Sequence, residues 1–251
     1  MTRKQMLSLL LCLTLLFCCV TSLNASAAEN NVELSTDDFL LLTGMTLTEV
    51  DAFDPDFKEY IVENLKQNEA AEDLEFIKTE DVPVAEPLVN QVLTGIKFYV
   101  SSWKSGSTIY IYPTYEFTTA KRPRGQDSFA FQLGDAMRPY TYGGKMWWKN
   151  NSGDSWQSSA SDTMTANTQS MNGAEYSGSQ LGSPTYSMYI KGAAYCYADA
   201  GTGTDKRIIM SYMHNPNQGN YSISFSAYGV GISYSSTNTI YTAASTVNLT
   251  Y

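Results

Sequence analysis

The sequence predicts a mainly β protein: an antiparallel β-sandwich or small barrel of about six to eight strands, preceded by a short acidic α-helical segment. Over residues 96–251, apolar and polar residues alternate in the way of half-buried strands. Over residues 29–81, apolar residues instead recur every three or four positions, as they do in amphipathic helices. The acidic residues are concentrated in this earlier part, which separates the two regions by composition as well.

Residues 1–28 have the order of a secretory signal peptide. Arg3 and Lys4 precede an apolar run over 6–20, and the Ala-Ser-Ala sequence ending at Ala27 supplies the small residues that signal peptidase recognises. The apolar run is too short for a settled membrane span. We therefore predict a secreted, extracellular protein.

The cysteines and the histidine limit the chemistry that is available. Three of the four cysteines lie in the predicted signal, so Cys196 alone would remain after its removal. One cysteine forms neither an internal disulfide nor a cysteine metal cluster, and the alternation around Cys196 predicts a buried strand position. His214 is the single histidine, so the usual zinc ligand sets are missing from the sequence. We expect no metal and no cofactor.

The acidic charge belongs to one segment. Residues 29–95 hold 17 acidic and 3 basic residues, whereas residues 96–251 hold 8 acidic and 11 basic residues. The whole chain has a net charge of −9. Proteins that coat nucleic acid carry a strong basic excess, so we expect no nucleic-acid partner.

Helix-capping patterns support the helical prediction for residues 29–81. Thr46 and Glu49 have the spacing of a capping box, in which each side chain binds the backbone of the other residue. Asp54 precedes Pro55, and proline is well suited to the first turn of a helix. The carboxylates here are better explained by capping than by calcium binding, because the glycine and the distal glutamate of an EF-hand loop are missing.

Two further boundaries are predicted from composition. Residues 82–95 contain prolines, which disfavour helix in the residues before them, and we interpret this stretch as a linker to a β domain over 96–251. A cut in this linker would make residues 29–81 a removable pro-segment. Within the β domain, residues near 150–183 are mostly Ser, Gly, Asn, Thr and Gln, which predicts a mobile polar loop.

Tryptophans beside that polar loop form the first candidate binding site. Trp147 and Trp148 are adjacent in sequence, and Trp103 and Trp156 are the further members. Flat aromatic faces suit sugar rings and envelope polymers. Neighbouring strand residues point to opposite faces, so the alternative is that one or both of the adjacent pair belong to the core.

A compact basic turn is the second candidate. Lys121, Arg122 and Arg124 lie close together in sequence, and such a group can contact an anionic surface. A protease-sensitive site and an ordinary solvated turn are the alternatives.

The third candidate is a membrane-active segment over 221–234. Apolar residues alternate there with Ser and Gly, as in membrane-inserting strands, although half-buried strands of soluble sandwiches alternate too. One extra residue near 227–229, a β-bulge, would bring both apolar sets to one face. The residues concerned are Tyr221, Ile223, Phe225, Tyr228, Val230, Ile232 and Tyr234.

Acidic residues of the β region leave a hydrolytic function open, because two carboxylates at a suitable separation hydrolyse glycosidic bonds. Their sequence spacing selects no pair. The candidates are Glu116, Asp127, Asp135, Asp154, Asp162, Glu175, Asp199 and Asp205. No serine lies in a nucleophile elbow, which argues against a catalytic triad of serine and His214.

These observations give one leading hypothesis and two alternatives. The first is a non-enzymatic binding or effector protein that engages a polysaccharide, cell envelope or membrane surface through its aromatic β domain. The second is an antimicrobial or pore-forming protein masked by its acidic segment; equal inactivity of the chain with and without residues 29–88 on dye-loaded anionic liposomes would reject it. The third is a carboxylate-pair glycoside hydrolase, to be rejected if a broad panel of glycosides shows no turnover.

Overall fold

The computed structural model describes part of the chain, and within it Thr36–Tyr251 is a compact unit. The described residues are 34–68, 73–82, 91–120, 126–159, 162–170, 172–177, 188–216, 221–226, 229–234 and 241–251.

Three helices come first: α1 Thr36–Leu42, α2 Leu47–Ala52 and α3 Pro55–Gln67. The predicted capping box at α2 is confirmed, because the Thr46 hydroxyl accepts from the Glu49 N–H while the Glu49 carboxylate accepts from the Thr46 N–H. Asp54 caps α3, and Pro55 occupies its first turn as predicted. Short helices of this kind depend on packing against a partner for their stability.

Thirteen strands follow within the described residues. They are β1 Glu75–Val82, β2 Gln91–Val92, β3 Ile96–Ser105, β4 Thr108–Phe117, β5 Gln126–Leu133, β6 Met137–Lys149, β7 Thr168–Ser170, β8 Gly173–Ser177, β9 Tyr189–Ala200, β10 Arg207–Asn215, β11 Tyr221–Ser226, β12 Gly229–Tyr234 and β13 Tyr241–Thr250. The protein is mainly β, as predicted, with more strands than the predicted six to eight. Four of the strands, β1, β2, β7 and β8, lie in stretches that had been predicted as helix, linker or loop.

β1 joins two groups of strands into one curled sheet. Its first residues pair with β3, where Ile77 lies opposite Ser102, and its later residues pair with β13, where Lys78 lies opposite Thr250. Beyond β3 the order continues through β4 and β9 to β6, and we call these four strands the front half. Beyond β13 it continues through β10, β5 and β8 to β7, and we call these five strands the back half. Apart from the parallel pair of β2 with β13, the strand pairs among the described residues are antiparallel.

The main hydrophobic core lies between the two halves. Tyr115 of the front half has its ring centroid 4.9 Å from that of Phe129 and 5.1 Å from that of Tyr212, both in the back half. Cys196 is fully buried in this core, and burial raises the pKa of its thiol well above the ordinary value. The predicted buried strand position of Cys196 is therefore confirmed, and its thiolate is disfavoured as a nucleophile.

A second core lies between the helices and the opposite face of the front half. β4 shows the arrangement: Ile109 and Ile111 belong to the main core, whereas Tyr110 and Tyr112 belong to the helical core. Successive strand residues point to opposite faces, so a strand covered on both sides must be apolar at both parities. The helices, the front half and the back half thus form three layers.

The helical segment is shorter than predicted. Helix ends at Gln67, and Glu75–Val82 is a strand, where the prediction had helix as far as residue 81. The charged residues of this strand hid its alternation, in which Ile77 is buried in the main core and Phe76 packs toward the helices. Because β1 lies between β3 and β13, a cut in the predicted linker leaves a strand of the preceding segment hydrogen-bonded inside the sheet.

The predicted polar loop near 150–183 is also partly structured. β7 and β8 fall within it, and Trp148 and Gln157 exchange two backbone hydrogen bonds of 2.9 Å. The Met164 N–H donates to the Gly144 carbonyl at 2.7 Å, so the described part of the loop runs along β6. Backbone pairing to an edge strand therefore orders a stretch whose composition alone predicts a loop.

The stretch 221–234 is a hairpin rather than one strand with a bulge. β11 and β12 form a separate two-stranded sheet, with Tyr221 opposite Tyr234, Ile223 opposite Ile232 and Phe225 opposite Val230. β12 contacts β5 and β10. The pairing brings the two apolar sets opposite one another without the predicted bulge. Tyr228 lies outside the described residues.

The place of β1 predicts how the protein responds to a cut. If residues 83–87 are replaced by a protease recognition sequence and cleaved, the two fragments should elute together in native size-exclusion chromatography, because β1 is paired on both sides. Elution of the N-terminal fragment on its own would contradict this arrangement.

Candidate binding groove

A groove with a cavity volume of about 650 Å³ lies between the helices and the outer face of the front half. Its walls come from α2, the start of α3 and the strands β1, β3 and β4. Ligand sites in proteins measure roughly 300 to 1,000 Å³ and combine an apolar lining with a few polar groups. The groove fits both criteria.

Four aromatic side chains supply much of the apolar lining: Phe53, Phe57, Phe76 and Tyr99. Phe53 ends α2 and Phe57 lies in the first turn of α3, so the break between the two helices places both rings at the groove. Tyr99 is 47% exposed, which leaves a large ring area available to a ligand. Rigid aromatic rings provide contact area at low entropic cost.

Charged and hydroxyl side chains complete the lining. Glu49, Glu116 and Lys78 bring both signs of charge, while Ser101 and Thr114 bring hydroxyl groups. The groove therefore offers hydrogen-bond donors and acceptors beside its aromatic rings.

Glu49 is held in its ionised form. Its carboxylate accepts hydrogen bonds of 2.7 Å from both the backbone N–H and the hydroxyl of Thr46. The Thr46 backbone, the Thr46 hydroxyl and the charge of Lys78 lower the pKa of Glu49 below its ordinary value. The capping box of α2 thus also fixes a negative charge at the groove.

One wall of the groove is fixed by an ion-pair cluster around a buried lysine, which we call the Lys191 clamp: Lys191, Asp54 and Asp56. The Lys191 ammonium lies 2.6 and 2.7 Å from the two Asp54 oxygens and 2.6 Å from Oδ2 of Asp56, and its side chain is 0% exposed. Asp54 also lines the groove and caps α3, where its Oδ1 accepts the N–H groups of Asp56 and Phe57.

Aromatic rings surround the Lys191 ammonium. It lies 5.0 Å from the ring centroid of Phe57, 5.8 Å from that of Trp147 and 4.5 Å from that of Trp156. A buried ammonium is costly unless it is paired, and two carboxylates with three ring faces offset that cost. The clamp thereby attaches the start of α3 to β9.

Two of the four tryptophans predicted to bind a ligand belong to the helical core. Trp103 is fully buried and donates from Nε1 to the Thr43 hydroxyl at 2.9 Å. Trp147 is 4% exposed, with its ring between those of Phe57 and Tyr60 at centroid distances of 5.4 and 5.7 Å. The predicted exposed surface is wrong for these two, because the helices cover the face of the sheet on which they lie.

The other two tryptophans are half-buried. Trp148 packs against the main core, on the face opposite to Trp147, as strand geometry requires. Two ammonium groups contact the Trp156 ring, those of Lys149 and Lys191, each 4.5 Å from its centroid. Trp156 therefore holds the loop after β6 against the clamp.

Two further predicted sites are the basic turn and the membrane-active segment. Lys121, Arg122 and Arg124, the candidate anionic-surface contact, lie outside the described residues. For the candidate membrane-active strands, the structure gives the backbone pairing of β11 and β12 described above.

Most of the eight candidate carboxylates make structural hydrogen bonds. Asp127 lies 2.7 Å from Nδ1 of the buried His214, and Glu175 accepts from the Ser128 hydroxyl at 2.8 Å. Asp135, in the loop after β5, accepts the backbone N–H of Asp205, in the loop after β9, and the Asp205 carboxylate accepts from the Arg207 guanidinium. Asp154 and Asp162 accept backbone N–H groups in the loop after β6. Asp199 is exposed on β9, and Glu116 is the one of the eight that lines the groove.

Sequence reasoning missed the groove, the clamp and the pair of Asp127 with His214. The pair arises because β5 and β10 place these residues directly opposite each other, which their sequence separation does not reveal. Lys191 did carry a signal, since it is the one charged residue before Asp199, near the end of a strand that is otherwise mostly apolar. Such a charge requires a buried partner.

Neither a metal site nor a membrane-spanning helix is found in the part of the chain that the structure describes. No cluster of three or more His, Cys, Asp or Glu side chains there could hold a metal ion. None of its helices has the length and apolarity needed to cross a bilayer.

No family model and no curated protein matches the chain. Among solved structures, it is similar to a pore forming protein (TM-score 0.37, 6% identity, 70% of this chain and 94% of the other). It is also similar to ACE19, the collagen-binding subdomain of the Enterococcus faecalis surface protein ACE, with a TM-score of 0.35 and 6% identity over 68% of this chain and 93% of the other. A third similar structure is the collagen-binding domain of a Staphylococcus aureus adhesin, with a TM-score of 0.29 and 8% identity over 59% of this chain and 95% of the other. TM-scores and identities this low carry no argument about function.

The capping box gives the stability of the protein a defined pH dependence. Because the pKa of Glu49 is lowered in the folded protein, its charge contributes stability above the unfolded pKa, and this contribution is lost as pH falls through the folded pKa. Glu49→Gln should therefore lower the free energy of unfolding at pH 7, and this deficit should shrink as pH falls below 4.5.

Chemical denaturation at a series of pH values measures this difference. Glu63→Gln, on the exposed side of α3, controls for removal of an acidic charge from the helical layer. A deficit for Glu49→Gln that stays constant from neutral to acidic pH would contradict the assignment.

Proposed function

We propose that this protein is a secreted, non-enzymatic binding protein that engages a cell-surface or extracellular polymer through the groove. The observation that carries the proposal is the groove itself, a cavity of ligand size with an exposed tyrosine, further aromatic rings and hydrogen-bonding groups of both kinds. The groove takes the place of the tryptophan surface as the site of contact.

The chemistry of the lining favours a polysaccharide. The flat ring of Tyr99 can stack on the apolar face of a sugar, as aromatic side chains do in carbohydrate recognition. Glu49 and Glu116 can accept hydrogen bonds from sugar hydroxyls, while Lys78 and the hydroxyl of Ser101 can donate to sugar oxygens. A polymer with several such units would engage the rings and the polar groups together.

The groove supports binding better than it supports the two alternatives. Masking by a removable segment conflicts with the position of β1, which stays in the sheet after a cut in the linker. For hydrolysis, Glu116 contributes a carboxylate to the groove, but Glu49 and Asp54 are already engaged by Thr46 and Lys191. Glu49 and Asp54 thus each have a structural partner, which leaves Glu116 without a second uncommitted carboxylate among the described residues of the groove.

Two exposed tyrosines provide a matched test. Tyr99 lines the groove and is 47% exposed, whereas Tyr140 is 55% exposed and lies outside the groove lining. Tyr99→Ala should weaken binding about tenfold, roughly the loss of one interface residue that matters, and Tyr140→Ala should leave binding unchanged.

Sedimentation with insoluble peptidoglycan, chitin, cellulose and fibrillar collagen measures this binding. Retention on one of these polymers that Tyr99→Ala reduces and Tyr140→Ala preserves supports the groove. Retention on none of them, or equal losses in both variants, would reject the proposal.

A further inference from the structure

The Lys191 clamp holds the components of a condensation reaction together: a fully buried ammonium group and two partly exposed carboxylates. The Lys191 nitrogen lies nearly equidistant from the two Asp54 oxygens, at 2.6 and 2.7 Å, and therefore close to the carboxyl carbon between them. A second carboxylate, Asp56, contacts the same nitrogen at 2.6 Å. When the fold holds reacting groups this close together, most of the entropy loss that their encounter would require has already occurred on folding.

We propose that Lys191 and Asp54 condense to an intramolecular amide between Nζ of Lys191 and Cγ of Asp54. The proposal concerns a modification of the protein itself and does not depend on which polymer the groove binds. Three features of the clamp support it: the position of the Asp54 cap, the second carboxylate and the aromatic surroundings.

The helix cap provides stabilisation for the charge that develops during the reaction. Attack of the amine on Cγ places negative charge on an Asp54 oxygen. Oδ1 already accepts the N–H groups of Asp56 at 3.0 Å and Phe57 at 3.1 Å, at the positive end of α3. Preorganised backbone donors of this kind stabilise the oxyanion of an acyl transfer. Oδ1 then remains as the amide oxygen, so the cap of α3 is preserved.

Asp56 provides the route for the protons. It accepts a proton from the Lys191 ammonium, which leaves the neutral amine that attacks Cγ, and it delivers protons to Oδ2 of Asp54. The N–C bond forms, the bond between Cγ and Oδ2 breaks, and Oδ2 leaves as water with two of the three ammonium protons. Asp56 ends as the carboxylate with which it began.

The aromatic rings favour the product. The rings of Phe57, Trp147 and Trp156 surround a nitrogen that is 0% exposed. Their apolar faces favour a neutral amide over a buried ion pair, and they restrict access of the water that would hydrolyse it. The bond would join positions 137 residues apart and tie the helical layer covalently to β9.

Intact-mass spectrometry of the purified, denatured full chain tests the proposal. The expected mass is lower than that of the sequence by one water molecule, and fragmentation should show a branched peptide joining Asp54 to Lys191. After the cut at residues 83–87 described above, the two fragments should also stay joined on a denaturing gel. A wild-type mass equal to that of the unmodified sequence would overturn the proposal.

Variants locate the reaction. Lys191→Arg keeps the charge without the amine, Asp54→Ser keeps a capping oxygen without the carboxyl group, and Asp56→Asn removes the proton carrier. Each should show no loss of water. Asp37→Asn, which removes the exposed partner of Lys58, is the control and should keep the loss. A loss of water that persists in Lys191→Arg comes from another site and would equally overturn the proposal.

Discussion

The burial of one positive charge, that of Lys191, is the constraint on which the arrangement of the layers depends. Its strand, β9, is covered on one face by the main core and on the other by the helices, and the Lys191 side chain is fully buried. Asp54 and Asp56 neutralise it from the start of α3. Because removing one partner of a buried ion pair is strongly destabilising, the helices are held to this position on the sheet.

The two covered faces of the front half also explain which aromatic residues are available for binding. Trp103 and Trp147 point toward the helices, and Trp148 points toward the main core. The adjacent pair Trp147 and Trp148 therefore packs on both faces of its strand. Tyr99 lies on the helical face too, at the place where α2 gives way to α3 and the cover is incomplete. The groove thus forms where the short helices leave part of the sheet uncovered.

Local patterns in the sequence predicted local structure well. The capping box at Thr46, the start of α3 at Pro55 and the buried position of Cys196 follow from spacing within a few residues. The groove, the Lys191 clamp and the pair of Asp127 with His214 depend on contacts between residues far apart in the chain, which periodicity does not encode. β1 was missed because its many charged residues outweighed the alternation around Ile77.

If the Lys191 clamp holds the helical layer on the front half and thereby forms the groove, loss of the ammonium should loosen the helices selectively. Hydrogen exchange followed by mass spectrometry, comparing the wild type with Lys191→Met, measures this loosening. Faster exchange is expected in α2 and α3 of the variant, with the back-half strands β5 and β10 unchanged. Unchanged exchange in α3, or an equal increase in the helices and in β5 and β10, would contradict it.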